Sequence, residues 1–227
     1  MKNNLSHIAL ILDGNKRWAK NNNLNDIYGY KKGFENIKNI TKSALSLNLE
    51  NLTLFALSSE NFKRSSINII FNLIYENFSN ILNELIKENG VRINIFGLKD
   101  NLPLKIIKIF DDIEKFSKDN NSLNLNIAFN YGFKNEIKNI LKRIINKEEK
   151  ININNQDEID KLFNIGSIPD PDLLIRTGGY QRLSNFIMYK LTYTELFFTK
   201  TLWPDFTEKE FNKIINEFLK IRRKYGL

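Results

Sequence analysis

Strand-like and helical patterns alternate along the 227 residues, which predicts a single α/β domain over residues 1–227 with a parallel central sheet flanked by helices. Three observations carry that prediction. Short apolar runs of strand length end in turns rich in Gly, Asn and Ser. Stretches of helical period separate them. No repeat, linker or low-complexity tail divides the chain.

The elements follow in order. Ile8 to Leu12 is an apolar run stopped by Asp13-Gly14, a buried strand ending in a turn. Phe34, Ile37, Ile40, Ala44 and Leu47 recur at helical spacing, and Leu52 to Leu57 reads as the next strand. Apolar residues from Ile67 to Ile86 predict one long amphipathic helix. Val91 to Phe96 alternates with period two. A helix is expected from about Pro103, a residue suited to a first turn, to Phe116. Leu123 to Phe129 alternates again, Ile137 to Ile145 returns to helical period, Asp172 to Arg176 is a strand candidate, and Phe211 to Arg223 closes the chain as a helix.

Composition sets outer bounds. The chain is 42 per cent hydrophobic and 26 per cent charged, ordinary for a globular domain that buries most of its apolar surface. The absence of cysteine removes disulfides, thiolate ligands and a Cys nucleophile, and suits a reducing cytoplasm, the expected location. No stretch reaches the length of a membrane span. A net charge of +8 favours phosphorylated small molecules, polyanions or anionic lipid surfaces. Nucleic acid is set aside as a partner, because no recognisable module or aromatic interleaving accompanies the charge.

Polar chemistry accumulates where the strands end. Asp13-Gly14-Asn15-Lys16-Arg17-Trp18 follows the first strand. A carboxylate there can hold a divalent metal, and Gly-exposed backbone with Arg and Lys can hold phosphate. The same run also fits a strand-terminating turn with solvated charges. The second strand delivers Ser58-Ser59-Glu60-Asn61-Phe62-Lys63-Arg64, of which helix capping accounts for one or two residues. The strand ending at Arg176 delivers Thr177-Gly178-Gly179 and then Arg182-Leu183-Ser184. Arg176, Arg182 and Ser184 can converge on one phosphate, which suits the planar fork of arginine. Glu195 lies in the otherwise apolar Tyr193 to Phe198, so it needs a cation or a metal as partner.

Several chemistries are excluded. Neither G-x-x-x-x-G-K-[ST] nor G-x-G-x-x-G occurs. The single histidine, His7, rules out a His-rich metal site or triad and reads as a strand-edge residue. Asp111-Asp112-Ile113-Glu114 reads as the solvated face of a helix.

The blocks together resemble the cis-prenyltransferases, nearly end to end and in order. They are His7 to Asn15 with Arg17-Trp18, Ser58 to Asn61 with Arg64, Asn130-Tyr131-Gly132, Ile175 to Gly179, Arg182 to Phe186, and Glu195 followed by Leu202 to Phe206. The resemblance implies an elongated hydrophobic cleft walled by helices, a homodimer, and peripheral membrane contact through a lipid product. It implies repeated condensation of isopentenyl diphosphate with an allylic prenyl diphosphate such as farnesyl diphosphate, with Mg²⁺ as cofactor. Asp13 and Glu195 would hold the metal, and Asp13 would assist departure of pyrophosphate. Gly14, Asn15, Lys16 and Arg17 would cradle the allylic diphosphate, and Arg176, Arg182, Leu183 and Ser184 would take that of isopentenyl diphosphate. Asn61 would sit where the proton leaves, with Ser58, Ser59 and Glu60 beside it, while Trp18, Phe62 and Arg64 would line the cleft. Five positions depart from the pattern: Asp26 stands for a frequent basic residue, Tyr30 for His, Phe62 for Trp, and Tyr180-Gln181 for Glu-His. Family roles are not carried onto Asp26, Tyr30, Tyr180 or Gln181. The other reading is a non-catalytic subunit of the same fold; the acid at position 13 and the cations after it argue against that.

Overall fold

The computed structural model describes residues 5–62, 67–78, 83–86 and 90–223. Six strands form one parallel sheet: β1 (His7–Ile11), β2 (Asn51–Ser58), β3 (Val91–Phe96), β4 (Leu123–Tyr131), β5 (Leu173–Arg176) and β6 (Glu195–Phe198). Their order across the sheet is β3-β4-β2-β1-β5-β6. Strand order therefore reverses beside β1, with β2 on one side and β5 on the other. In open α/β sheets ligands bind outside the carboxyl ends of the strands at such a reversal. The register fixes which residues meet there, since Ile11 pairs with Arg176 and Asp13 lies two residues beyond.

Alternation along β1 shows how the core is divided. Ile8 and Leu10 belong to one apolar cluster and Ala9 and Ile11 to the other, as expected where successive side chains point to opposite faces. The larger cluster lies against α2 (Asp26–Ser46), α5 (Leu104–Ser117) and α8 (Glu208–Phe218). On α8 the buried residues are Phe211, Ile214, Ile215 and Phe218, an i, i+3, i+4, i+7 stripe. The smaller cluster includes Phe55, Tyr131 and Phe186, with Phe55 and Phe186 stacked at 4.6 Å.

The amino-terminal helices approach closely because of two glycines one turn apart. A Cβ on Gly29 would stand 2.1 Å from the Asn15 carbonyl, and one on Gly33 would stand 2.3 Å from Asn15 Oδ1. With hydrogen there, α1 (Asn15–Asn21) nests against α2. That short helix was not anticipated: its seven residues NKRWAKN carry only two apolar side chains, too few for a periodic signal.

Several expected elements change in detail. The long helix expected over 67–86 is α4 (Ile67–Leu73), then a π-helical turn (Ile74–Phe78) and helical residues 83–86; the positions between lie outside the described residues. The last helix begins at Glu208, capped by Thr207 Oγ1 accepting from the Glu210 N–H (3.3 Å), and ends at Phe218 rather than Arg223. The acidic run on α5 is not wholly solvated, because Glu114 Oε1 accepts from the Ile95 N–H at 2.7 Å. Two further helices, α3 (Ser59–Phe62) and α7 (Gln156–Asp160), are single turns, and α6 (Phe133–Ile145) follows β4. No described helix is long and apolar enough to cross a membrane.

His7 is a core residue rather than a strand-edge one, fully buried at the start of β1. Nδ1 lies 2.7 Å from the Pro169 carbonyl and Nε2 lies 2.7 Å from Thr53 Oγ1. A carbonyl only accepts, so Nδ1 carries the proton and Nε2 accepts from the hydroxyl. Burial lowers the pKa to about 4. The unfolded chain, with an ordinary histidine near 6.5, therefore binds the proton more readily. Stability is fully present above about pH 6.5 and is lost as pH falls toward 4. The loss amounts to up to about 3 kcal/mol by proton linkage. Urea denaturation of wild type between pH 7.5 and 4 should show that decline, and His7→Gln should flatten it.

Candidate active site

Two loops at the carboxyl edge build the site. Gly14, with φ +127°, turns the chain from β1 into α1; a Cβ there would meet Leu202 at 2.9 Å. The loop after β5 carries Gly178 and Gly179, both at positive φ, whose N–H groups donate to Thr201 (2.7 Å) and Thr199 (2.8 Å) carbonyls. Thr177 ties the loops together. Its hydroxyl donates to the Asp13 carbonyl (2.8 Å) and accepts from the Asp13 N–H (3.0 Å). Trp203 N–H also donates to the Asp13 carbonyl, at 3.0 Å, so the backbone of Asp13 is held from two sides.

The Asp13 side chain sits between two arginines. Arg17 Nη2 donates to Oδ1 at 3.1 Å and Arg176 Nη2 donates to Oδ2 at 2.9 Å. Arg176 is 3 % exposed. A buried guanidinium must be paired, and this one also donates through Nη1 to Ser184 Oγ (2.7 Å) and to the Arg182 carbonyl (2.5 Å). Arg176 thus ties the Ser184 side chain and the backbone of Arg182 together, and all three residues line one cavity. Arg17 Nη1 donates to the Gly178 carbonyl at 2.7 Å, fixing α1 to the second loop.

These groups open onto a cavity of about 700 Å³. Its polar mouth carries Asp13, Gly14, Asn15, Lys16, Arg17, Ser58, Glu60, Asn61, Arg176, Arg182 and Ser184. Its apolar part carries Ile11, Leu12, Phe55, Ala56, Leu57 and Ile70. Four cations face two carboxylates in the lining, so the mouth is suited to a polyanion. Burial alone would raise the Glu60 pKa, but hydrogen bonds from Asn185, its own backbone N–H, Ser58 and Ser59 outweigh it and hold the carboxyl below its ordinary value. Ser58 Oγ accepts from the Asn61 N–H at 3.1 Å, which fixes the Asn61 backbone above the end of β2.

Other expected residues stand apart from this lining. Trp18 Nε1 donates to Asp205 Oδ1 at 2.8 Å while Lys32 Nζ lies 4.5 Å from its ring. Ser59 Oγ accepts from Asn135 Nδ2 at 3.0 Å. Phe62 packs edge-on against Phe71, and Leu183 packs against the smaller core cluster. Arg64 lies outside the described residues. Glu195 pairs with Leu173 whereas Arg176 pairs with Phe198. Glu195 is thus at the opposite edge of the sheet, roughly 10 Å down the strand from the Arg176 level.

Reading the sequence alone missed Asn185, whose Nδ2 donates to Glu60 Oε1 at 2.9 Å. Its left-handed φ of +63°, beside Ser184 at +52°, is a conformation that Asn tolerates. Tyr30 and Tyr180 also line the cavity. Asp26 does not face it: its carboxylate pairs with Lys16 Nζ at 3.2 Å. A second cavity, of about 330 Å³, lies beside α6 between Tyr131, Glu136, Arg143 and Asn164. Its carboxylate is already satisfied, Glu136 accepting from the Tyr131 hydroxyl and from both nitrogens of Asn164.

A parallel sheet whose reversal point carries an Asp held by two arginines, beside a cavity lined by four cations and by apolar side chains, defines an α/β protein suited to an amphiphilic anion. The chain belongs to the undecaprenyl diphosphate synthase family of prenyltransferases, whose model matches residues 11–226. It is 37 % identical to an isoprenyl transferase of Aquifex aeolicus over 97 % of this chain and 95 % of that one. It is 42 % identical to a farnesyl-diphosphate-specific undecaprenyl diphosphate synthase of Wigglesworthia glossinidia brevipalpis, over 97 % and 86 %. Its fold matches a crystal structure of lavandulyl diphosphate synthase from Lavandula x intermedia in complex with dimethylallyl diphosphate. There the TM-score is 0.90 and the identity 31 %, over 98 % of both chains.

The Gly178 position yields a test. A Cβ there would stand 2.5 Å from Arg17 Nη2 and 2.9 Å from the Asp13 carbonyl, at a φ of +85°. Gly178→Ala should therefore destabilise the fold by about 1–2 kcal/mol and weaken diphosphate binding by displacing Arg17. Thermal denaturation and calorimetric titration with pyrophosphate check the two effects separately.

Proposed function

We propose that this chain condenses isopentenyl diphosphate repeatedly with an allylic prenyl diphosphate, farnesyl diphosphate being the first candidate, to make a cis-polyprenyl diphosphate. One observation carries the reading: a single cavity beside Asp13 is lined by four cations and by apolar side chains. The Lavandula neighbour was solved with an allylic diphosphate bound, and the Wigglesworthia relative is named for farnesyl diphosphate.

The residues divide the work. Lys16 and Arg17 receive the allylic diphosphate, while Leu57 and Ile70 accept the hydrocarbon that follows. Arg182 and Ser184 receive the diphosphate of isopentenyl diphosphate, with Arg176 beneath both. The allylic carbon–oxygen bond breaks, the alkene of isopentenyl diphosphate supplies the electrons of the new carbon–carbon bond, and pyrophosphate leaves. Fixed guanidiniums stabilise charge growing on that leaving group without reorganisation. A proton is then lost near Asn61. An amide is too weak a base to keep it, so water or the released pyrophosphate takes it.

Mg²⁺ fits Asp13. The carboxylate is 27 % exposed and its two arginine contacts leave lone pairs free. Mg²⁺ is commonly held by one or two carboxylates together with substrate phosphates. When bound, the ion would neutralise diphosphate charge and ease departure of pyrophosphate. Glu195 would join such a site only from a second copy, given its place on the far edge of the sheet. We propose a homodimer on this basis, with β6 at the open sheet edge and Leu196 exposed along it. Membrane contact would come through the lipid product.

Incubation with labelled isopentenyl diphosphate, farnesyl diphosphate and Mg²⁺ should give a ladder of products resolved by chain length; no incorporation with any allylic primer would refute the reading. Asp13→Asn should keep the fold and lower kcat by about 10²–10³-fold. Arg182→Ala should raise KM for isopentenyl diphosphate by more than KM for the primer; equal changes would contradict two separate diphosphate subsites. Light scattering should give the mass of two chains, and a fully active single-chain species would contradict the dimer.

A further inference from the structure

We propose that Tyr180 is a positioning residue that sets the two substrate-binding arginines, Arg17 and Arg182, against one aromatic ring and so couples the two diphosphate subsites. This rests on the function proposed above and adds a residue to it. The Arg17 guanidinium carbon lies 4.7 Å from the centroid of the Tyr180 ring, and that of Arg182 lies 4.2 Å from it. Arg17 comes from helix α1 after β1 and Arg182 from the loop after β5, so one ring joins the two halves of the mouth. The backbone before Tyr180 is fixed, since Gly178 and Gly179 donate to the Thr201 and Thr199 carbonyls. The ring therefore starts from a defined place although it is 45 % exposed.

The chemistry favours a ring over a carboxylate at this position. Arg17, Arg176 and Arg182 repel one another, and each Asp13 oxygen already accepts from one of two of them, Arg17 and Arg176. The negative face of an aromatic ring attracts both Arg17, already paired with Asp13, and Arg182 without forming a hydrogen bond. Stacking uses the flat face of a guanidinium and takes up none of its N–H groups, so Arg182 keeps its fork for phosphate oxygens and Arg17 keeps the N–H groups not given to Gly178 and Asp13. A carboxylate would occupy that fork and would have to be displaced by the incoming diphosphate. Among the described residues no ion pair or hydrogen bond holds the Arg182 guanidinium, so the Tyr180 ring is what orients it.

The test is calorimetric titration of the full-length protein with inorganic pyrophosphate, alongside KM and kcat for both substrates. Tyr180→Leu, which keeps bulk but removes the π face, should weaken pyrophosphate binding about five- to thirtyfold, the scale of two exposed cation–π contacts. Tyr180→Phe should bind within about twofold of wild type. The thermal midpoint should be the same in all three. In Tyr180→Leu, KM should rise for both substrates while kcat changes less, a split that a purely structural role would not produce. In an Arg182→Ala background the leucine change should cost less than it does alone, because one of its two partners is gone. A leucine variant that binds pyrophosphate like wild type, or a phenylalanine variant as weak as leucine, would overturn the proposal. The outcomes separate from those of the function itself. Turnover by wild type with unchanged binding in Tyr180→Leu defeats only the role of Tyr180. The expected binding pattern without turnover upholds that role and defeats only the reaction.

Discussion

The contact on which the site depends is the pairing of Arg176 with Asp13 across the ends of β5 and β1. Arg176 is nearly inaccessible to water, and a buried cation is tolerated only when its charge is paired. Asp13, Ser184 and the Arg182 carbonyl provide three partners. Each of those partners is thereby placed. The acid faces the mouth, the Ser184 hydroxyl turns inward, and the segment carrying Arg182 folds back over the strand end. Parallel register sets this up, because Ile11 opposite Arg176 brings the two loops side by side. Thr177 and Trp203 then fix the backbone of Asp13, so its carboxylate is held at a constant place while substrate comes and goes.

Much of this was legible in the residues. The strands announced themselves by apolar runs and alternation, and their ends by Gly14, Ser58 and Gly178. Parallel pairing followed from the interleaved helices, and the placing of Arg176, Arg182 and Ser184 along one cavity followed from their spacing. What the sequence withheld depends on tertiary placement. The level of Glu195 on the sheet is set by the β5–β6 register, which no local pattern encodes. Burial of His7 depends on Thr53 and Pro169, distant in the chain. Helix α1 hides in a polar run because its partner, the Gly29–Gly33 side of α2, asks for close backbone approach rather than apolar bulk. Asn185 gave only the weak signal of an Asn after Ser near a tight turn.

The departures from the family pattern become physical once placed. Asp26 takes up Lys16 in an ion pair, so less cationic charge at the mouth is free for phosphate. Lys32, a near neighbour in sequence, is engaged with Asp205 and the Trp18 ring instead. Lys16 thus shares its charge with Asp26 while the three arginines supply the rest of the cationic lining, and the aromatic ring beside two of them keeps them together without neutralising them. Arginine suits this arrangement because its charge is permanent and its fork can bond on one edge while stacking on a face.

The most direct test of this account is a crystal structure with isopentenyl diphosphate and an unreactive thio-analogue of farnesyl diphosphate bound together. The account predicts both diphosphates at the carboxyl edge, one against Lys16 and Arg17 and the other against Arg182 and Ser184, with the farnesyl chain running past Leu57 and Ile70. Diphosphate density in the smaller cavity beside Arg143, or a hydrocarbon chain lying on the outer surface of the sheet, would contradict it.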